Sequence, residues 1–185
     1  MKARHIPNII SVFRIILVYP IVQFMLARRF DWALGLFIVA GISDAMDGFL
    51  AKHFDWKSRL GSYLDPAADK LLLVACFVSA GWLGLIPIWL VAAVLLRDLV
   101  IVSGALAYYY LLRPFEGEPH LSSKVNTFFQ LLLIVAALFH NGIAPLPANL
   151  LPFLIGIVLL TTLTSGVIYV YVWGNRYWRE THTHG

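Results

Sequence analysis

Six apolar runs, each about as long as a bilayer is thick, leave this chain few folds to choose from. A helix needs about 20 mainly apolar residues to cross the hydrocarbon core. Such runs cover roughly 7–27, 32–52, 62–83, 86–111, 122–141 and 149–173 of the 185 residues. The segments between them are short, and Pro87, Pro145, Pro147 and Pro152 punctuate the turns on one side. Only 13% of the residues are charged while 60% are hydrophobic, too little charge to keep a soluble domain of this size in solution. The sequence therefore predicts an all-α integral membrane protein with six transmembrane helices and a single membrane domain over 1–185. The first run contains Arg14 and Pro20 and lacks a small-residue cleavage site, so it reads as an anchored helix and not as a targeting peptide.

Lys and Arg placement sets the expected orientation, because basic residues stay on the cytoplasmic side. With the N-terminus inside, Lys2, Arg4, Lys52, Lys57, Arg59, Arg113, Lys124, Arg176 and Arg179 are cytoplasmic, against Arg28 and Arg29 on the far side. Both termini are expected inside. One cysteine, Cys76, excludes a disulfide framework and a thiolate metal cluster. A net charge of +4, scattered along the chain, does not suit nucleic acid. His182 and His184 sit in a polar tail and read as solvated.

Against this apolar background, four acids stand out. Asp44 and Asp47 end the second run, and Asp65 and Asp69 begin the third. A carboxylate at the centre of a membrane helix costs about 2.5–3.5 kcal/mol on insertion scales, so acids there mark function. Spacings of three and four put each pair on one helix face. The basic connection "KHFDWKSRLGSY" turns back at the cytoplasmic surface, so all four carboxylates can meet at one depth. Oxygen-only ligation, with no His or Cys, suits hard divalent ions such as Mg²⁺, Mn²⁺ or Ca²⁺. Two such ions would neutralise the quartet and leave positions open for substrate oxygens, as in phosphoryl-transfer sites. The plainer reading is that the acids share protons between helices or pair with Lys70, Arg14 and Arg97.

From Asp44 to Asp69 the chain reads D-A-M-D-G-F-L-A-K, eight residues, G, three residues, D, three residues, D. This resembles the signature of the CDP-alcohol phosphatidyltransferase family, D-x-x-D-G-x-x-A-R-x8-G-x3-D-x3-D, with every spacing kept and one fixed residue changed. The six expected spans resemble the family fold as well. The family moves a phosphatidyl group from a CDP-linked lipid to an alcohol and releases CMP. The resemblance implies that Asp44, Asp47, Asp65 and Asp69 hold two divalent cations, Mg²⁺ or Mn²⁺, and that Asp69 is also the base for the acceptor hydroxyl. It implies that Gly48, Ala51 and Gly61 line the cytidine pocket and that Ser58 touches the donor. Lys52 stands where the family has Arg; it keeps the charge and loses the bidentate fork, which puts donor affinity in question. The opening "PNIISVFR" resembles the family's N-x-x-[ST]-x-x-R. Its Asn8 and Ser11 either join the donor site or hydrate a span end, while Arg14 faces the acids or the donor phosphates.

The acceptor is read from charge. Family members that use glycerol 3-phosphate carry Arg-Glu in the fourth span, an Arg eight residues later, and Lys-x-Lys-Thr near the fifth, cations suited to a small dianion. This chain has Arg97 and Asp98, Ala105 eight residues after Arg97, and Lys124 followed by Asn126. With two cations missing, a phosphodiester acceptor fits better. "RD" followed by "SKVNTFFQ" resembles the eukaryotic-type, CMP-forming cardiolipin synthases, which join CDP-diacylglycerol to phosphatidylglycerol. Alternatively, Arg97 merely pairs with Asp98 and Lys124 snorkels to the interface. The expected function is cardiolipin synthesis, with Arg97 and Lys124 at the acceptor; phosphatidylglycerophosphate synthesis is the alternative. The family implies a homodimer in the bacterial inner membrane with its site on the cytoplasmic side. A transporter is the reading from another class, since intramembrane acids also line ion paths. Against it, no charge continues to the far side and no internal repeat is visible.

Overall fold

The computed structural model describes residues 6–53, 61–111 and 121–182, with side chains described outside 6–8, 45, 47–53, 61–63, 105–111 and 173–182. The described residues form six α-helices: α1 (Ile6–Leu26), α2 (Phe30–His53), α3 (Gly61–Trp82), α4 (Ile88–Leu111), α5 (Leu121–Gly142) and α6 (Leu150–His182). Each coincides with one expected span. The largest difference is α6, which runs nine residues beyond the expected end at 173. Hydropathy marks where apolar sequence stops, whereas a helix continues until its backbone is broken, and no proline follows Pro152.

Among the described residues, three stretches, Ile9–Leu26, Leu121–Gly142 and Leu150–Val172, are long and apolar enough to cross a membrane. The exposure pattern of α1 fits such a role. Ser11, Arg14, Leu17, Val18, Ile21 and Met25 form its buried face, while Ile9, Phe13, Ile16 and Tyr19 are exposed. A helix whose outward face is apolar and whose inward face holds an arginine is built for lipid surroundings.

The chain divides into two compact units. The first contains α1, α2, α3 and the end of α5, residues 134–147 included. Within it α1 packs against both α2 and α3. The buried faces of α2 (Phe30, Ala33, Leu34, Phe37, Ala40) and of α3 (Ala68, Leu72, Leu73, Cys76, Phe77, Ala80) follow helical spacing. Continued by one turn, the α2 face reaches Asp44, and the α3 face reaches back to Asp65 and Asp69. Gly142 ends α5 against the start of α2: a Cβ there would lie 2.6 Å from the Asp31 nitrogen and 2.7 Å from the Phe30 carbonyl carbon. Only glycine permits that approach.

α1 and α3 close with the same turn. Arg29 N–H donates to the Phe24 carbonyl and Arg28 N–H to that of Met25; Leu85 and Gly84 repeat the pattern on Ala80 and Gly81. Such a turn needs one left-handed residue. Gly84 supplies it at φ 72° without a side-chain penalty, and Arg28 supplies it at φ 56°. Beside Arg28, the Arg29 guanidinium lies over the Phe24 and Trp32 rings, 5.7 and 5.4 Å from their centroids, a cation–π arrangement.

The second unit contains residues 87–133 and 148–185, and within it α4 packs against α6. Leu90, Val91, Val94, Leu133, Leu154 and Val158 are its buried apolar residues, interrupted by buried Arg97, Asp98, Asn126, Gln130, Thr162 and Ser165.

Candidate active site

The apolar faces of α1, α2 and α3 lead to one polar end. Arg14 is fully buried, and α1 carries no acid of its own. A buried charge without a partner costs several kcal/mol, so the partners must come from other helices. Arg14 Nη1 lies 2.7 Å from Asp44 Oδ1 on α2 and also donates to Asp69 Oδ1 on α3. Carboxylates from two helices thus meet on one nitrogen atom of a third. One turn earlier on α1, the buried Ser11 hydroxyl donates to Asp65 Oδ1. The Asp44 and Asp69 side chains remain 46% and 50% exposed. They are therefore held from one side by α1 and stay accessible from the other.

Arg14 faces the acids, one of the two placements the sequence left open for it. The pairing expected by the plainer reading is present for Arg14, with Asp44 and Asp69. Among the described residues no three carboxylates gather around a single ion-sized point; the acids are joined through α1 instead. Even so, Asp44 Oδ1 and Asp69 Oδ1 both lie within bonding reach of one nitrogen, close enough to share one ion. The donor set is oxygen only, which fits a hard divalent cation. Asp47 belongs to α2, but its side chain lies outside the described residues, as do those of Asn8, Gly48, Ala51, Lys52 and Gly61; Ser58 lies wholly outside them.

A second polar cluster sits in the other unit. Arg97 Nη1 donates to Asp98 Oδ1 at 2.8 Å, and Nη2 to Ser123 Oγ at 2.9 Å and Ser165 Oγ at 2.5 Å. Its guanidinium lies 5.9 Å from the centre of the Tyr169 ring. The pairing of Arg97 with Asp98 weighed in the sequence is thus present. Lys124 is exposed in the first turn of α5. Asn126 is fully buried, and its Oδ1 accepts from Thr161 Oγ1 at 2.9 Å and Thr162 Oγ1 at 3.0 Å. The buried polar atoms Ser122 Oγ, Asn126 Nδ2 and Gln130 Nε2 on α5 have no hydrogen-bond partner among the described residues. They fall four residues apart on one face.

Residues 4–173 match the model of a family described as CDP-alcohol phosphatidyltransferase. The chain belongs to that family. Among its relatives in the CDP-alcohol phosphatidyltransferase family is the cardiolipin synthase (CMP-forming) of Rattus norvegicus, 35% identical over 149 residues, 72% of this chain and 49% of the relative. A second is the CDP-diacylglycerol–glycerol-3-phosphate 3-phosphatidyltransferase 1 of Oryza sativa chloroplasts, 33% identical over 186 residues, 89% of this chain and 56% of the relative. A third, the Bacillus subtilis enzyme of the same glycerol-3-phosphate type, is 29% identical over 168 residues, 80% of this chain and 82% of the relative. The chain spans about half the length of the cardiolipin synthases of rat and human that it matches.

Sequence reasoning found the residues that carry the CDP-alcohol phosphatidyltransferase motif and missed the supports of the second cluster. Thr161, Thr162 and Ser165 were passed over as part of an apolar run. Polar residues at helical spacing inside that run, and the Ser122–Asn126–Gln130 stripe on α5, were the available signals.

Proposed function

We propose that this protein transfers the phosphatidyl group of CDP-diacylglycerol to a hydroxyl of phosphatidylglycerol, forming cardiolipin and CMP. The observation that carries the reading is the meeting of Asp44 and Asp69 at one atom of α1, with Asp65 held one turn away, inside a family-specific motif. Asp44, Asp47, Asp65 and Asp69 would hold two divalent cations, Mg²⁺ or Mn²⁺. Such ions neutralise the diphosphate and stabilise departing CMP. Asp69 takes the proton of the acceptor hydroxyl as its oxygen attacks the phosphatidyl phosphorus, and the phosphorus–oxygen bond to CMP breaks. Lys52 adds positive charge at the leaving phosphate. Asn8, Ser11 and Ser58 hydrogen-bond the donor, and Gly48, Ala51 and Gly61 leave room for cytidine. Arg14 and Lys124 contribute the remaining contacts to donor and acceptor phosphates, while the Arg97 charge is held by buried Asp98.

Charge supports phosphatidylglycerol as acceptor. Ala105 and the neutral Asn126 stand where glycerol-3-phosphate members have an arginine and a lysine. A dianionic phosphomonoester would find little net positive charge there; a monoanionic phosphodiester with a free glycerol hydroxyl needs less. Glycerol 3-phosphate remains the second reading, favoured by the rice and Bacillus relatives. The reading extends to six transmembrane helices working as one domain, a homodimer, and a bacterial inner membrane with both termini and the site cytoplasmic.

The deciding experiment gives purified protein CDP-diacylglycerol, Mg²⁺ or Mn²⁺, and both acceptors together, with products separated by mass. Cardiolipin and CMP are expected. Phosphatidylglycerophosphate alone would transfer the case to the second reading, and no CMP from any alcohol with folded, metal-binding protein would end both.

A further inference from the structure

Arg14 occupies an unusual position for a residue assigned only to substrate phosphates. Its Nη1 lies between Asp44 Oδ1 and Asp69 Oδ1, two of the oxygens through which a divalent ion would be held. Metal–oxygen bonds for Mg²⁺ or Ca²⁺ run about 2.0–2.6 Å, close to the reach of a charge-assisted hydrogen bond of about 2.7–2.9 Å. A guanidinium nitrogen and an ion that join the same two oxygens therefore claim the same space. Both also answer the same electrostatic need, since two carboxylates drawn together repel until a cation joins them.

We infer, resting on the functional reading above, that Arg14 and a divalent cation are alternative occupants of the Asp44–Asp69 pair. Metal binding must break the ion pair and move the guanidinium off these oxygens. The displaced Arg14 keeps its charge beside the site, where the donor diphosphate is the more highly charged of the two anionic substrates. Metal and donor would thus bind cooperatively: the ion releases the cation that the donor then engages. The plainer role, a structural pin between α1 and its neighbours, requires no such movement.

Two measurements on the full chain in detergent test this. Mn²⁺ alone, titrated with free Mn²⁺ read by electron paramagnetic resonance, should bind Arg14→Gln at least about fivefold more tightly than the wild type, the lower end of typical site–site coupling. Equal or weaker binding by the variant overturns the inference. The second measurement needs no variant that folds. Guanidinium hydrogens of Arg14, followed by nuclear magnetic resonance in wild-type protein, should exchange with water slowly without metal and quickly at saturating Mg²⁺. Exchange that stays slow at saturating Mg²⁺ overturns the displacement, whatever the variant does. Mn²⁺ binding to neither protein sinks the functional reading together with this one; equal binding to both sinks only this one.

Discussion

Two buried arginines, one in each unit, solve the same electrostatic problem in different ways. Arg97 is matched by the next residue in the chain, Asp98, and steadied by the hydroxyls of Ser123 and Ser165. Its ion pair is closed: both side chains are nearly inaccessible, 5% and 8% exposed. Arg14 lies on a helix that carries no acid and draws acids from α2 and α3, each about half exposed. A closed pair spends its charge internally. An open one presents acids that can still meet a ligand, which is what a reacting site requires.

The comparison is most sharply broken by amide substitution of an acid in each unit. Asp69→Asn should lower CMP release by about 10²–10⁴-fold, the usual contribution of a positioned base. Asp98→Asn should lower it far less. Equal losses would remove the distinction between open and closed pairs. Next in size is stability. Arg97→Met leaves Asp98 charged and enclosed, and should destabilise by about 3–5 kcal/mol in detergent unfolding. Adding Asp98→Leu should restore most of that, as both charges then leave together.

Glycines give a smaller contrast. Gly142→Ala drives a Cβ into the backbone of Phe30 and Asp31 and should cost about 1–3 kcal/mol. At Gly166 the nearest atom to a new Cβ is Arg97 Cγ at 3.7 Å, an ordinary contact. Gly166→Ala should therefore be neutral, or stabilising by up to about 1 kcal/mol through helix propensity. Comparable in size is Thr162→Val, which removes one of two hydroxyls from Asn126 Oδ1 and should cost about 1 kcal/mol. All three are read from the midpoint of unfolding, and a Gly142→Ala protein as stable as Gly166→Ala would contradict the packing described here.

The helices were legible because each coincides with a long apolar run set off by short polar or proline-bearing connections. The ends were less so: α6 continues to His182 past its apolar part. That Asp44, Asp65 and Asp69 gather around α1 was foreshadowed because acids in apolar sequence are costly and their spacing is specific. Asn126 was read only as a missing charge. Its partners Thr161 and Thr162 lie 35 and 36 residues away, and no periodicity connects residues on separate helices. Gly142 gave no signal for the same reason, since the backbone it meets belongs to α2.

By itself the sequence determined the six helices, the faces on which Ser11, Arg14 and the acids lie, and the family. Those are consequences of local spacing and of the penalty for charge in an apolar run. Tertiary structure alone decided that Arg14 bridges Asp44 and Asp69, that Ser11 takes Asp65, and that Asn126 is held by two threonines. A one-dimensional pattern fixes which way a side chain leaves its helix; what it meets depends on how the helices pack, and that is settled only when every buried charge and polar atom competes for partners at once.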